Sequence, residues 1–145
     1  MNDPYGLERF VTAQDRGGTF ATAVAELRAG RKRSHWMWFV FPQIAGLGQS
    51  SMSRTYAISS LDEARAYLAH PILGPRLIES ARSVAELDGL TAQDIFGGID
   101  AIKLRSSMTL FAYADSANPI FGQVLEAYFG GVPDEATERL LGVGR

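Results

Sequence analysis

Trp36-Met37-Trp38-Phe39-Val40-Phe41 is the longest wholly apolar run in the chain and its one ambiguous segment. Aromatic residues and valine favour strands, so composition alone allows a buried strand. Periodicity cannot separate helix from strand over so short a run. A strand needs a partner, however, and no other segment alternates apolar and polar residues over a useful length. The run therefore reads as a short helix buried on all sides, ended by Pro42. It is also far too short to span a bilayer.

Working outward, the flanks read at helical period. Upstream, Leu7, Phe10 and Val11 form a short apolar face closed by Gly17-Gly18. Thr19 is expected to cap a second helix with the face Phe20, Val24 and Leu27, and Gly30 to end it. Downstream, Ser60-Leu61-Asp62-Glu63 has capping-box spacing, with Leu61, Ala64 and Leu68 on one side behind it. His70-Pro71 closes that turn. Pro71 can then open a longer helix with the stripe Leu73, Leu77, Ala81 and Val84. Thr91 to Asp94 again looks like a helix start, ended by Gly97-Gly98, with a helix from Ile99 to Asp115 after it. Asn118-Pro119 opens the next, carrying Phe121, Val124, Leu125, Tyr128 and Phe129, and Gly130-Gly131 stops it. Asp134 caps a last short helix with Leu140 and Leu141. There is no internal repeat and no linker. The expectation is all-α: a compact multihelical single domain over residues 1–145, with a short buried central helix.

Composition agrees with an ordinary soluble globule. Of 145 residues, 46% are hydrophobic and 21% charged, which excludes a disordered tail or a low-complexity linker. The net charge of −2 argues against a general binder of nucleic acid. Charge is uneven, though. Glu26 to His35 holds four cations and one anion, whereas Leu61 to Asp100 holds three arginines and seven carboxylates. With no cysteine, disulfides, thiolate catalysis and cysteine zinc sites are excluded. The first residues show no signal-peptide pattern, so the expected location is cytoplasmic, with no membrane segment. Two histidines without an HExxH or an Asp-rich loop lead us to expect no metal and no cofactor.

Three constellations could carry chemistry. The first is the basic turn Arg31, Lys32, Arg33 with His35 and the tryptophans. Cations past a helix end are favourable in themselves. Arginines there also suit a phosphate or carboxylate clamp. His35 could serve as a general acid or base, and Trp36 and Trp38 could stack on a ring; both sets could equally be core filling. The second is Asp100, Lys103, Arg105, Ser106, Ser107 and Thr109 on a helix that Ile99, Ile102, Leu110 and Phe111 are expected to anchor in the core. Such groups either satisfy one another or line a polar pocket. The third is the stretch from Gln43 to Tyr56, rich in glycine and serine, which reads as a surface loop or a lid.

Several blocks resemble one known family. Arg31 to Gln43, Tyr56-Ala57-Ile58-Ser59-Ser60, His70-Pro71-Ile72-Leu73-Gly74, Lys103 to Phe111 and Val124 to Gly131 together resemble the signature of the family called domain of unknown function 1810. The blocks run in order over nearly the whole chain. The resemblance implies a compact multihelical fold with a short buried central helix, and no established activity. A distant similarity to the NADAR family implies action on N-glycosidic bonds of ADP-ribose-type compounds. No motif of that family is matched residue by residue, so none of its catalytic residues is carried over.

These readings combine into one expectation. The cationic aromatic stretch and the hydroxyl-bearing helix meet around one cavity that takes an anionic small molecule, such as a nucleotide or an ADP-ribose-type compound. His35 and Lys103 are the catalytic candidates, for metal-independent N-glycosyl hydrolysis. Arg31, Arg33, Trp36, Trp38, Gln43, Tyr56, Arg105, Ser106 and Ser107 are the ligand-binding candidates. The alternative is a non-catalytic protein-interaction module, and the oligomeric state is left open.

Overall fold

Glycines in the left-handed region separate the first helices of this chain. The computed structural model describes residues 3–143. Helix α1 (Glu8–Asp15) is capped by Asp3, whose carboxylate accepts the N–H groups of Leu7 and Glu8. Gly17 and Gly18, at φ 60° and 70°, turn the chain into α2 (Thr19–Arg28). Thr19 is not a cap, because its hydroxyl donates back to the Arg16 carbonyl. At the far end the N–H of Gly30 bonds the Leu27 carbonyl and that of Arg31 the Glu26 carbonyl, a Schellman ending.

Helix α3 (Met37–Val40) is a single turn at the centre of the molecule. Trp36, Met37, Phe39, Val40 and Phe41 are buried; Trp38 is the exception and is half-buried. The segment is thus a helix, but one side of it is open. The polar stretch after it contains a helix not expected from the sequence, α4 (Ser51–Thr55), capped by Ser50. A lone parallel bridge between Ile44 and Ile58 ties the two ends of this stretch together.

Helix α5 (Leu61–Ala69) has half of the expected capping box. Ser60 accepts the Glu63 N–H, while the buried Glu63 reaches back to Ser59 and also takes Arg9 at 2.9 Å. His70 then caps α6 (Leu73–Ala85), its Nδ1 accepting from Ile72 and Leu73. The full box of Thr91 and Asp94 starts α7 (Ala92–Ala114), which Gly97 breaks at φ 79°, ψ 171°. Helix α8 (Ile120–Phe129) ends on Gly130, and Asp134 caps α9 (Glu135–Leu141).

Helix α7 packs against α5, α8 and α9, and α6 against α2, α5 and α8. One continuous core results. Phe10, Tyr67, Phe111 and Phe121 run through it at centroid spacings of 5.1, 5.4 and 5.8 Å. Each wholly buried ring contributes about 1.5–3 kcal/mol. Gln14, also buried, gives its amide N–H to the Phe39 carbonyl and the Tyr67 hydroxyl and takes Arg76 on its oxygen. That bond fixes α3 against α1. Among the described residues no helix is long and apolar enough to cross a membrane.

Candidate functional site

Glu26, on the last turn of α2, shapes the basic stretch. Its carboxylate accepts from the backbone of Arg33 (2.8 Å) and Ser34 (2.9 Å), the Ser34 hydroxyl (2.5 Å) and the Trp36 indole (2.9 Å). Burial pushes this carboxyl up, but the four hydrogen bonds outweigh it and hold the pKa at about 2. The turn is thereby rolled so that Arg31 and Arg33 stay exposed. Lys32 alone folds inward. Its N–H bonds the Ile95 carbonyl, and its Nζ reaches the Ser34 carbonyl at 2.6 Å and Asp100 at 2.9 Å.

Asp100 is shared. Its second oxygen takes Lys103 at 3.2 Å, one turn further along α7. Burial raises the Asp100 carboxyl, and the two lysines overcome that and leave it below the usual range. The Lys103 ammonium lies 3.8 Å from the centroid of the Trp38 ring, a cation–π contact.

Two cavities share this pair in their lining. A cleft of about 290 Å³ is walled by Trp38, Lys103 and Leu47, with Ile99 and Ile102 at one side. Gln43, Ser106 and Asp134 are its polar lining. A niche of about 80 Å³ on the other side holds Lys32, His35 and Asp100, again with Trp38 and Lys103. Asp134 is pinned to α7: its N–H bonds Thr109, and its Oδ2 accepts from Ser106 and from both the N–H and the hydroxyl of Thr137. The Gln43 carbonyl is held by Ile58, but its side-chain amide makes no hydrogen bond among the described residues.

The structure brings Trp38, Gln43, Lys103 and Ser106 together around the cleft and adds His35 in the niche. It does not bring the other candidates to the cleft. Arg31 and Arg33 line neither cavity, and Lys32 takes the place expected of them. Trp36 borders the niche and not the cleft; its side chain is fully buried, its N–H is spent on Glu26 and Lys32 lies over its ring at 5.0 Å, so it offers a ligand no free face. Tyr56 packs on Phe10 and Phe39. Arg105 bonds the Val132 carbonyl and covers Phe129. Ser107 is buried, lines neither cavity, and its hydroxyl has no partner among the described residues. Ile99 and Ile102 are not core anchors: they are 74% and 63% exposed. Glu26 was missed, having no distinguishing local signal; Lys32 was placed in the basic turn but not singled out from its neighbours, and Asp134 was read only as a cap.

Fold and cleft together define a small all-α protein with a lysine and a tryptophan facing each other across a surface cavity. The chain belongs to the family described as Protein of unknown function (DUF1810), which matches residues 4–141. It is similar to the conserved hypothetical protein Rv1873 from Mycobacterium tuberculosis, a crystal structure, at 53% identity over 98% of this chain and 100% of the other, with a TM-score of 0.94. No curated protein matches. The family match carries the first resemblance drawn above; the likeness to the NADAR family gains nothing from these comparisons.

Proposed function

We propose that this protein binds a small anionic molecule carrying a planar ring, of the class that includes nucleotides and ADP-ribose-type compounds, in the cleft beside Trp38. The observation that supports this most is the position of Lys103. Its side chain lines both cavities, rests on Trp38, and shares its one carboxylate partner with Lys32. Lys103 is therefore only partly committed to Asp100 and can turn to a ligand beside the apolar walls of Leu47, Ile99 and Ile102, with Asp134 in the same lining balancing the local charge. A mostly apolar site with a few placed polar groups suits a ring joined to an anion.

N-glycosyl hydrolysis is a further step in the same proposal. His35 and Lys103 share the niche, and Lys103 alone of the two lines the cleft. A ligand would meet both only from the niche side of Lys103.

A thermal-shift screen with NAD, ADP-ribose, AMP and aromatic carboxylates tests binding. A ligand at 100 times its Kd adds about 2.7 kcal/mol of stability, and Lys103→Met removes the shift. A shift that survives this change, or none across the panel, contradicts the reading. Release of free base from AMP, lost in His35→Ala, tests hydrolysis.

The exposure of Ile99 and Ile102 favours a second reading, a surface for a protein partner. That reading has Ile99→Ser with Ile102→Ser losing the partner and Lys103→Met keeping it.

A further inference from the structure

Charge and size around the cleft constrain its occupant beyond a general preference for anions. Four ionised groups line the two cavities: Lys32 and Lys103, Asp100 and Asp134. Their charges cancel. Lys32 is 9% exposed and committed to Asp100 and the Ser34 carbonyl, so Lys103 is the one cation that can turn to a ligand. Arg31, Arg33 and Arg105 lie outside both cavities and offer no second positive charge. Asp134 stands in the cleft wall with Oδ2 taking three donors, while its Oδ1 makes no hydrogen bond among the described residues. A carboxylate there accepts a donor and repels a second anionic group. The volume of about 290 Å³ is at the bottom of the roughly 300–1,000 Å³ range of small-molecule sites.

We infer that the cleft selects a single ring system no larger than a nucleoside, with one anionic group for Lys103 and one hydrogen-bond donor for Asp134, and that it excludes pyrophosphate-bearing compounds. This rests on the reading of the cleft as a binding site and narrows it. Within the proposed class, a compound with several phosphate charges fits the tryptophan and the lysine but collides electrostatically with Asp134.

Calorimetric titration of the full chain with three probes tests the inference: indole-3-carboxylate, its neutral isostere indole-3-carboxamide, and ADP-ribose. Each is run on the wild type, Lys103→Met and Asp134→Asn. Asparagine also caps helices, so the last variant keeps α9 in place. The carboxylate should bind, and the carboxamide should bind roughly tenfold to hundredfold more weakly, as expected for losing one charge-assisted hydrogen bond. Lys103→Met should abolish the difference between the two. Asp134→Asn should weaken the carboxylate and strengthen ADP-ribose. ADP-ribose binding the wild type as tightly as the carboxylate, with loss in Lys103→Met, overturns this selectivity and leaves the cleft reading standing. Binding of none of the three, or binding indifferent to both substitutions, overturns the cleft reading as well.

Discussion

Lys103 and Trp38 touch across the cleft, ammonium to ring centroid at 3.8 Å, although they come from α7 and α3, far apart in the chain. The contact is possible because α3 leaves one side uncovered and because Lys103 sits one turn after Asp100, which Lys32 already holds. The lysine is 18% exposed, so it is reachable from solvent but sheltered.

Lys103→Met should therefore keep the fold. The lost cation–π contact contributes about 0.5–1 kcal/mol at such a site, and Asp100 retains Lys32. Urea denaturation should show a small loss of this size, with an unchanged slope. A loss above about 3 kcal/mol, the scale on which a buried pair is broken, would make Lys103 a structural residue and not a ligand contact.

Glu26 makes stability depend on acid. Its carboxyl is held at about 2 in the folded protein against an ordinary 4.5. A lowered folded pKa stabilises above the unfolded value, and that contribution is lost as pH falls through the folded one. Urea midpoints should decline on this account between pH 4.5 and 2. Glu26→Gln, which puts an amide against four donors, should flatten that segment and cost about 1–3 kcal/mol at neutral pH.

Two glycines in helices should respond oppositely to alanine. A Cβ on Gly74 would stand 2.1 Å from the Leu68 carbonyl oxygen, in backbone that cannot move aside. Gly74→Ala should destabilise by about 1–3 kcal/mol or more despite better helix propensity. Gly122 on α8 is exposed and has nothing within 4 Å of such a Cβ. Gly122→Ala should raise stability by about 0.5–1 kcal/mol. Thermal melts of the two variants check both signs.

His70 caps α6 with its ring. Its Nδ1 accepts two N–H groups at the start of α6. His70→Ala should cost about 0.5–2 kcal/mol, and His70→Asn, which can accept the same bonds, should restore most of it. Equal losses in both variants would show that the ring contributes through packing instead.

Helix placement was legible because its signals are local. Gly17, Gly30 and Gly97 supply left-handed turns, and Ser60, Thr91 and Asp134 cap from within three residues. The Trp36–Phe41 run was resolved by the lack of a strand partner. Helix α4 was not legible, since Ser51–Thr55 has no apolar period and its one sign is the Ser50 cap. The phase of α7 was misread for a correctable reason. Ala101, Leu104, Met108 and Phe111 recur at steps of three, four and three and are buried, which turns Ile99, Ile102, Lys103 and Ser106 toward the cleft. The choice among Arg31, Lys32 and Arg33 is of another kind. Three adjacent cations look alike locally, and only the distant carbonyl of Ile95 and carboxylate of Asp100 single out Lys32.

The most direct test of a binding cleft at Trp38 and Lys103 is a proton–nitrogen correlation NMR titration of the labelled protein with indole-3-carboxylate. Saturable shifts are expected at the Trp38 indole, the Gln43 side-chain amide, Gly48 in the cleft lining and the backbone around Lys103 and Ser106, with the buried Trp36 indole unmoved. Shifts centred instead on the groove of Tyr5, Ala66 and His70, or none at saturating concentration, would contradict it.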